Sequence, residues 1–194
     1  MRTLLACISF LFLISACSMT MPETKIYNVY IPAEKASQGK RSDVSLAVML
    51  DSPRYLAQPY IAYRTSPYQL AISKYSKWDI PPADMVMDIV RDSLASTGTF
   101  REIRISHVVP GSFYSLRMNL KQFELLDTAE GPFGVLSFDA TLISPEGAEH
   151  YRGAITKKVK LDDKSFLSLA KGMSSALSEG IAEVRAGIAA SLAK

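Results

Sequence analysis

The sequence predicts an α+β fold: a two-layer sandwich in which two main helices cover one mixed, mostly antiparallel sheet. Three observations indicate this class. Two stretches repeat apolar residues at spacings of three and four, which is typical of amphipathic helices. Seven or eight shorter apolar stretches lie between turn residues, which is typical of strands. The connections between these stretches are short, which favours antiparallel neighbours.

Strands are predicted wherever a short apolar run is bounded by proline, glycine or polar residues. They cover residues 26–31, 44–50, 60–63, 69–73, 100–105, 114–126, 135–143 and 151–161. Pro32 is expected to end the first strand, and turns are expected at residues 130–134 and 145–147. The strands on either side of residues 145–147 form a predicted meander.

The first predicted helix begins at Pro81 and Pro82, because proline is tolerated in the first turn, and Gly98 is its expected stop. The second runs from about residue 164 to residue 192. Its ridge of Gly172, Ala176 and Gly180 permits close backbone approach and suits either packing onto the sheet or contact with another subunit. We favour packing onto the sheet. Asp162 and Asp163 precede this helix, where carboxylates favour the positive helix end.

Composition excludes several classes of protein. The 194 residues carry 22 Lys and Arg against 19 Asp and Glu, a formal net charge of +3, whereas nucleic-acid binders normally have a clustered basic excess. Apolar residues make up 48% of the chain, which is enough for a core, so extended disorder is not expected. The length predicts one domain with a short appendage.

The N-terminus has the pattern of a targeting signal: Arg2, an apolar run over residues 4–14, and then Ser15-Ala16-Cys17. The run is too short to span a bilayer. An ordinary secretory signal or a buried helix would also fit it. Ile14-Ser15-Ala16-Cys17, however, resembles the lipobox of bacterial lipoproteins, in which the cysteine is acylated and becomes the first mature residue. We therefore predict a signal peptide at residues 1–16, lipidation at Cys17, a tether at residues 17–24 and one domain at residues 25–194.

The residue after Cys17 is Ser18, and an aspartate there would be the usual signal for retention in the inner membrane. Its absence predicts the outer membrane, with the domain on the periplasmic face. Several acyl chains on one cysteine suffice for stable anchoring. The seven residues that follow, 18–24, reach at most about 25 Å, so the domain stays close to its membrane.

No motif for catalysis, nucleotide binding or metal binding is recognised in the sequence. His107 and His150 are isolated, and no thiol would remain once Cys7 is removed with the signal and Cys17 is acylated. We therefore expect no enzyme, no catalytic residue, no metal and no cofactor. Lys157, Lys158 and Lys160 lie in one strand, where they would deter edge pairing or form an anionic-lipid patch.

Residues 52–82 stand out because they hold five of the nine tyrosines and the only tryptophan. Composition fits a core hairpin with aromatic cross-strand pairs and fits a partner surface equally well. The candidate partner-binding residues are Arg54, Tyr55, Leu56, Pro59, Tyr60, Arg64 and Trp78.

The same residues resemble the ABC-type transport auxiliary lipoproteins, in which a P-x-Y-L motif, a proline, a hydrophobic strand ending in arginine and a W-x-x-P helix start follow in order. The matching residues are Pro53, Tyr55, Leu56, Pro59, Arg64, Trp78 and Pro81. The chain departs from many members at Ala57-Gln58, where they have Asp-Arg, and at Ile80-Pro81, where they have Glu-Pro.

The resemblance implies an outer-membrane-anchored accessory of an MCE-type lipid transport system. Its expected partner is the MCE-domain protein of an ABC transport system, and contact with further copies of the same chain, a homo-oligomer, is left open. The alternatives are a lipid carrier with a pocket between sheet and helices, and a structural lipoprotein of the envelope.

Overall fold

The computed structural model describes residues 22–32 and 43–193, which form eight strands and two helices. The predicted signal peptide and Cys17 lie outside these residues. The strands are β1 Lys25–Tyr27, β2 Ser45–Asp51, β3 Tyr60–Ser66, β4 Gln69–Trp78, β5 Glu102–Ile105, β6 Phe113–Thr128, β7 Gly131–Ile143 and β8 Glu149–Lys160. The helices are α1 Pro82–Ser96 and α2 Phe166–Leu192, and a 3₁₀ turn covers Arg54–Ala57. The predicted α+β class is confirmed.

The long strand β6 organises the sheet. One edge of β6 pairs along its length with β7, which pairs in turn with β8, so β6–β8 form an antiparallel meander. The other edge is shared: residues 113–119 pair in parallel with β2, and residues 124–126 pair in parallel with β3. A shift in the β6–β7 register between Leu120 and Gln122 lies where β6 passes from one partner to the other. The 3₁₀ turn joins these two partners.

The two arms of the sheet continue outward from β2 and β3. Beyond β2 lies β5, in parallel, while beyond β3 lies β4, antiparallel, and then β1, parallel to β4. The short connections did predict the hairpin and the meander. The parallel pairs join strands that are distant in sequence, which a strand-by-strand reading does not reveal.

Three of the predicted strand limits are wrong by four residues or more. The strand predicted at residues 69–73 continues to Trp78. The first strand ends at Tyr27 rather than Ile31, because the chain then leaves the sheet and the Tyr30 amide donates a hydrogen bond to Ser174 Oγ of α2 at 3.0 Å. The turn expected at residues 130–134 is shorter, since β7 already begins at Gly131, whose φ of 117° suits glycine.

Local signals define both helices as expected. Pro82 occupies the first turn of α1, and Gly98, just beyond its end, has a φ of 66°. At the start of α2, Ser165 Oγ accepts a hydrogen bond from the Ser168 amide at 3.1 Å. The Asp163 carboxylate accepts one from the Ser165 amide at 2.8 Å, and hydrogen bonds from Ser165 lower the pKa of Asp163.

Both helices pack on one face of the sheet and enclose the core with it. Gly172, Ala176 and Gly180 are buried in α2, so the predicted packing role of this ridge is confirmed. A Cβ at Gly180 would lie 3.0 Å from Ile155 Cγ2 and 3.3 Å from a ring atom of Phe138. Glycine therefore lets the helix approach β7 and β8 closely. No helix among the described residues is long and apolar enough to cross a membrane.

Candidate functional site

The predicted partner-binding residues converge where the two arms of the sheet meet β6. Arg54, Tyr55 and Leu56 belong to the 3₁₀ turn, Pro59 precedes β3, and the other three lie in β3 and β4: Tyr60, Arg64 and Trp78. The structure thus brings the segment together, but it divides the side chains between the core and the surface.

Leu56 and Trp78 lie in the core, which corrects the prediction that they belong to a partner surface. Leu56 is 0% exposed and Trp78 is 2% exposed. The Trp78 ring meets the Phe123 ring edge to face, with centroids 5.3 Å apart. The Trp78 amide donates to the Pro59 carbonyl at 2.9 Å, which fixes the start of β3 against the end of β4. A partner cannot reach either side chain in this conformation.

Tyr55 and Arg64 instead hold a buried carboxylate, that of Glu124 in β6, whose side chain is 1% exposed. Arg64 Nε donates to Glu124 Oε1 at 2.7 Å, and the Tyr55 hydroxyl donates to Oε2 at 3.2 Å. Gln122 Nε2 donates to Oε1 at 3.1 Å. We call these four residues the Glu124 cluster. It ties β3, β6 and the 3₁₀ turn together on the sheet face away from the helices.

The electrostatics of the Glu124 cluster favour a fixed bridge over a proton-transfer site. Burial, together with the negative charge of Glu124, raises the pKa of Tyr55 to about 12. The hydrogen bond to Glu124 raises the pKa of Arg64 above its usual value. Near neutral pH the phenol therefore stays protonated and the guanidinium stays charged.

Glu124 and Gln122 were missed in the sequence, although a signal existed. The run Phe123-Glu124-Leu125-Leu126 places one carboxylate inside a strongly apolar strand. Carboxylates are seldom fully buried unless paired. Such a residue predicts a cationic partner, but the sequence does not say which arginine or lysine supplies it.

Arg54 and Tyr60 remain exposed, and Pro59 is half-buried. Tyr60 is 37% exposed at the start of β3. These residues alone form a small surface, far below the roughly 800 Å² that each partner buries in a stable complex.

The histidines are not brought together. His107 is exposed, and the His150 ring packs against Tyr114 with centroids 5.5 Å apart. Within residues 22–32 and 43–193, no group of three or more His, Cys, Asp or Glu side chains is placed to hold a metal ion.

A groove of about 320 Å³ runs between α1 and α2 beside residues 29–32. Ile31, Ile89 and Ile181 supply apolar walls, and Asp92 and Ser178 contribute polar atoms. A second depression of about 230 Å³ continues it towards the ends of both helices and shares Ala182 with it.

Comparison with models of known protein families identifies the family of this chain. Residues 30–185 match the model described as ABC-type transport auxiliary lipoprotein component. The chain belongs to this family. The match spans every strand except β1, together with α1 and most of α2, and it confirms the resemblance carried by residues 53–81. No protein of curated function matches the chain significantly.

Solved structures share the fold of this auxiliary lipoprotein. Protein XCC0632 from Xanthomonas campestris, described as a DUF330 protein, aligns with a TM-score of 0.72 at 18% identity, over 83% of this chain and 92% of its own. The crystal structure of an uncharacterized protein aligns with a TM-score of 0.65 at 18% identity, over 86% of this chain and 99% of its own. At such identities the likeness shows the fold alone.

Proposed function

We propose that this auxiliary lipoprotein is anchored in the outer membrane through Cys17 and docks an MCE-type ABC transport system there. The observation that carries the proposal is the family match over residues 30–185. The Ile14-Ser15-Ala16-Cys17 sequence supports acylation, and Ser18 supports sorting to the outer membrane. In this role the chain is not an enzyme: it performs no catalytic step, and the transporter supplies the energy.

The anchoring part is tested at the cysteine itself. Cys17→Ser is expected to block processing or release the protein from the membrane fraction, with loss of acyl labelling. Ser18→Asp tests the sorting part and is expected to move the acylated protein to the inner membrane. Unchanged acyl labelling of the Cys17→Ser protein would contradict the anchoring proposal.

The docking part is tested by crosslinking in cells. A photo-reactive residue at Arg54 or Tyr60, the two exposed members of the predicted set, is expected to capture the MCE-domain protein. Val108, which is 76% exposed in the loop between β5 and β6, serves as the matched control position. Val108 is expected to capture less of the MCE-domain protein than Arg54 and Tyr60. Failure of the MCE-domain protein to crosslink at both Arg54 and Tyr60, or equal capture at Val108, would contradict docking through this surface.

The groove between α1 and α2 favours a second candidate function, direct lipid carriage. Its volume lies at the lower end of the range for small-molecule sites, roughly 300–1,000 Å³, and its walls are largely apolar. Native mass spectrometry of protein exposed to membranes tests for bound lipid. Ala182→Trp is expected to abolish that binding and Ala190→Trp, on the same helix outside the groove, to preserve it. A ligand-free spectrum of the unmodified protein argues against carriage.

A further inference from the structure

The sheet face away from the helices, which we call the open face, carries two aligned rows of side chains near the β6–β7 turn. The first row crosses β8, β7, β6, β3 and β4 with Lys158, Val135, Glu124, Ala62 and Ile72. The second crosses the same strands with Lys160, Phe133, Leu126, Arg64 and Leu70. Neighbours in register direct their side chains to the same face, so each row is continuous.

These rows combine exposed apolar groups with positive charge. Ile72 is 42% exposed, Leu70 and Phe133 are half-buried, and the Lys158 ammonium lies 4.0 Å from the Phe133 ring centroid. Lys160 is exposed. The one carboxylate in the rows, Glu124, is buried against Arg64 and so presents no negative charge.

The β3–β4 turn extends this surface. Since β3 runs parallel to β6, the turn after β3 lies at the same end of the sheet as the turn after β6. Tyr68, in the β3–β4 turn, is 97% exposed. We call Tyr68, Leu70, Ile72, Phe133, Lys158 and Lys160 the basic-apolar patch.

The N-terminal end of β1, which follows Cys17 in the sequence, is directed towards the same end of the sheet. β4 begins directly after the β3–β4 turn, and β1 runs parallel to β4. The N-terminal end of β1 is therefore directed towards that turn. Seven residues, 18–24, separate Cys17 from β1, and a fully extended segment of this length reaches at most about 25 Å. Lys25 lies opposite Ser76, seven residues along β4 from Gln69 and so about 23 Å from the β3–β4 turn, a distance that the extended tether can span. An acylated Cys17 can therefore bring this end of the domain to the bilayer.

We propose that the basic-apolar patch rests on the anionic phospholipid surface of the membrane that holds the lipid anchor. This inference rests on the proposed acylation of Cys17. Tyrosine suits the interfacial zone, apolar side chains enter the boundary between headgroups and acyl chains, and lysines interact with anionic headgroups. The patch is small, but the short tether gives it a high effective concentration at the surface, so a weak contact is well populated. The helix layer then faces the periplasm.

Fluorescence of the acylated protein in vesicles tests the orientation. An environment-sensitive label is attached at Ile72→Cys, with Tyr68→Cys as a second position in case the first disturbs the fold. Ser175→Cys, at an exposed position of α2 outside the groove, is the matched control. In vesicles of phosphatidylcholine with phosphatidylglycerol, we expect brominated acyl chains to quench the patch labels severalfold more than the control label. Equal quenching at the two faces, or stronger quenching at Ser175, overturns the proposal.

Removing the patch charges tests its chemistry. Lys158→Gln with Lys160→Gln is expected to lower the ratio of docked to undocked domains by roughly thirtyfold. Lys171→Gln, an exposed cation on α2, is expected to leave that ratio unchanged. A ratio that does not respond to the double substitution or to anionic lipid overturns the electrostatic part. If the emission of the label at Ile72→Cys shifts to the blue only after a protein is added, and not when lipid alone is added, the patch binds a protein partner and the membrane contact is overturned.

Thiol labelling also reports whether Cys17 is acylated. If Cys17 is acylated, the protein without an engineered cysteine takes up no thiol label, whereas uptake shows that the anchoring proposal fails. A free Cys17 is then coupled to a maleimide-bearing lipid in anionic vesicles, which restores the tether and tests the patch independently. The ratio of docked to undocked domains must still fall by roughly thirtyfold after the double lysine substitution, and an unchanged ratio overturns the patch.

Discussion

Replacing Arg64 by methionine removes the cation that faces the buried carboxylate of Glu124. Arg64 Nε lies 2.7 Å from Glu124 Oε1, and the Glu124 side chain is only 1% exposed. Methionine preserves much of the aliphatic stem, so the substitution removes charge while leaving little cavity. Glu124 is then left in a poorly solvated site with fewer donors.

The magnitude follows from the geometry of the Glu124 cluster. Removal of one partner from a buried ion pair typically costs about 3–5 kcal/mol. Two features reduce this cost: Tyr55 and Gln122 still donate hydrogen bonds to Glu124, and Arg64 is 24% exposed, so water already screens the pair. We therefore expect Arg64→Met to lower the free energy of unfolding by about 2–3 kcal/mol.

Urea unfolding measures the effect. With a slope of about 2 kcal/mol per molar urea, the midpoint is expected to fall by about 1–1.5 M. Arg117→Met, an exposed arginine on the open face, is the matched control and is expected to change stability by less than about 0.5 kcal/mol. Combining Arg64→Met with Glu124→Gln removes both charges, and the double variant is expected to be more stable than the sum of the single losses by about 1–2 kcal/mol. Strict additivity, or a loss below about 0.5 kcal/mol in Arg64→Met, would refute the reasoning.

Three further predictions concern single contacts. The pKa of Tyr55 is raised in the folded protein, from 10.0 to about 12, so its contribution to stability is complete below pH 10 and is lost as the pH rises towards 12. The free energies of unfolding of the unmodified protein and of Tyr55→Phe should therefore converge as the pH rises from 10 to 12. A constant difference between them over this pH range would contradict the raised pKa of Tyr55. Gly187→Ala would place a methyl within 3.0 Å of ring atoms of Tyr151, so we expect a lower melting temperature despite the better helix propensity of alanine. In a protein that also carries Tyr151→Leu, Gly187→Ala should instead raise the melting temperature. A higher melting temperature with and without Tyr151→Leu would exclude the clash with the Tyr151 ring. Ser165→Ala should cost about 1 kcal/mol by removing the N-cap of α2, whereas Ser178→Ala on the same helix should not; equal effects in chemical denaturation would exclude a capping role.

Local signals made the helices predictable. Pro82 and Gly98 bound α1, and Ser165 caps α2, because each acts on its own turn of backbone. The glycine ridge of α2 was also interpretable, since small residues four apart share one helix face. These features need no knowledge of what the helix packs against.

Features set by distant partners were not predictable in the same way. β1 ends at Tyr27, opposite Trp78, the last residue of β4. The burial of Trp78 depends on Phe123 in β6. Aromatic residues suit a core and an interface equally well, so composition left the position of Trp78 open. The partnership of Arg64 with Glu124 likewise joins residues on β3 and β6 that meet only in the assembled sheet.

The shared edge of β6 also orders events during synthesis. A chain made from its N-terminus can form the β3–β4 hairpin early, but β2 and β3 have no central strand until Phe113–Thr128 has been made. Such distant pairings fold slowly, and unpaired edges of apolar strands such as β2 invite association with other chains in the meantime. Folding of this lipoprotein therefore waits for the second half of its chain.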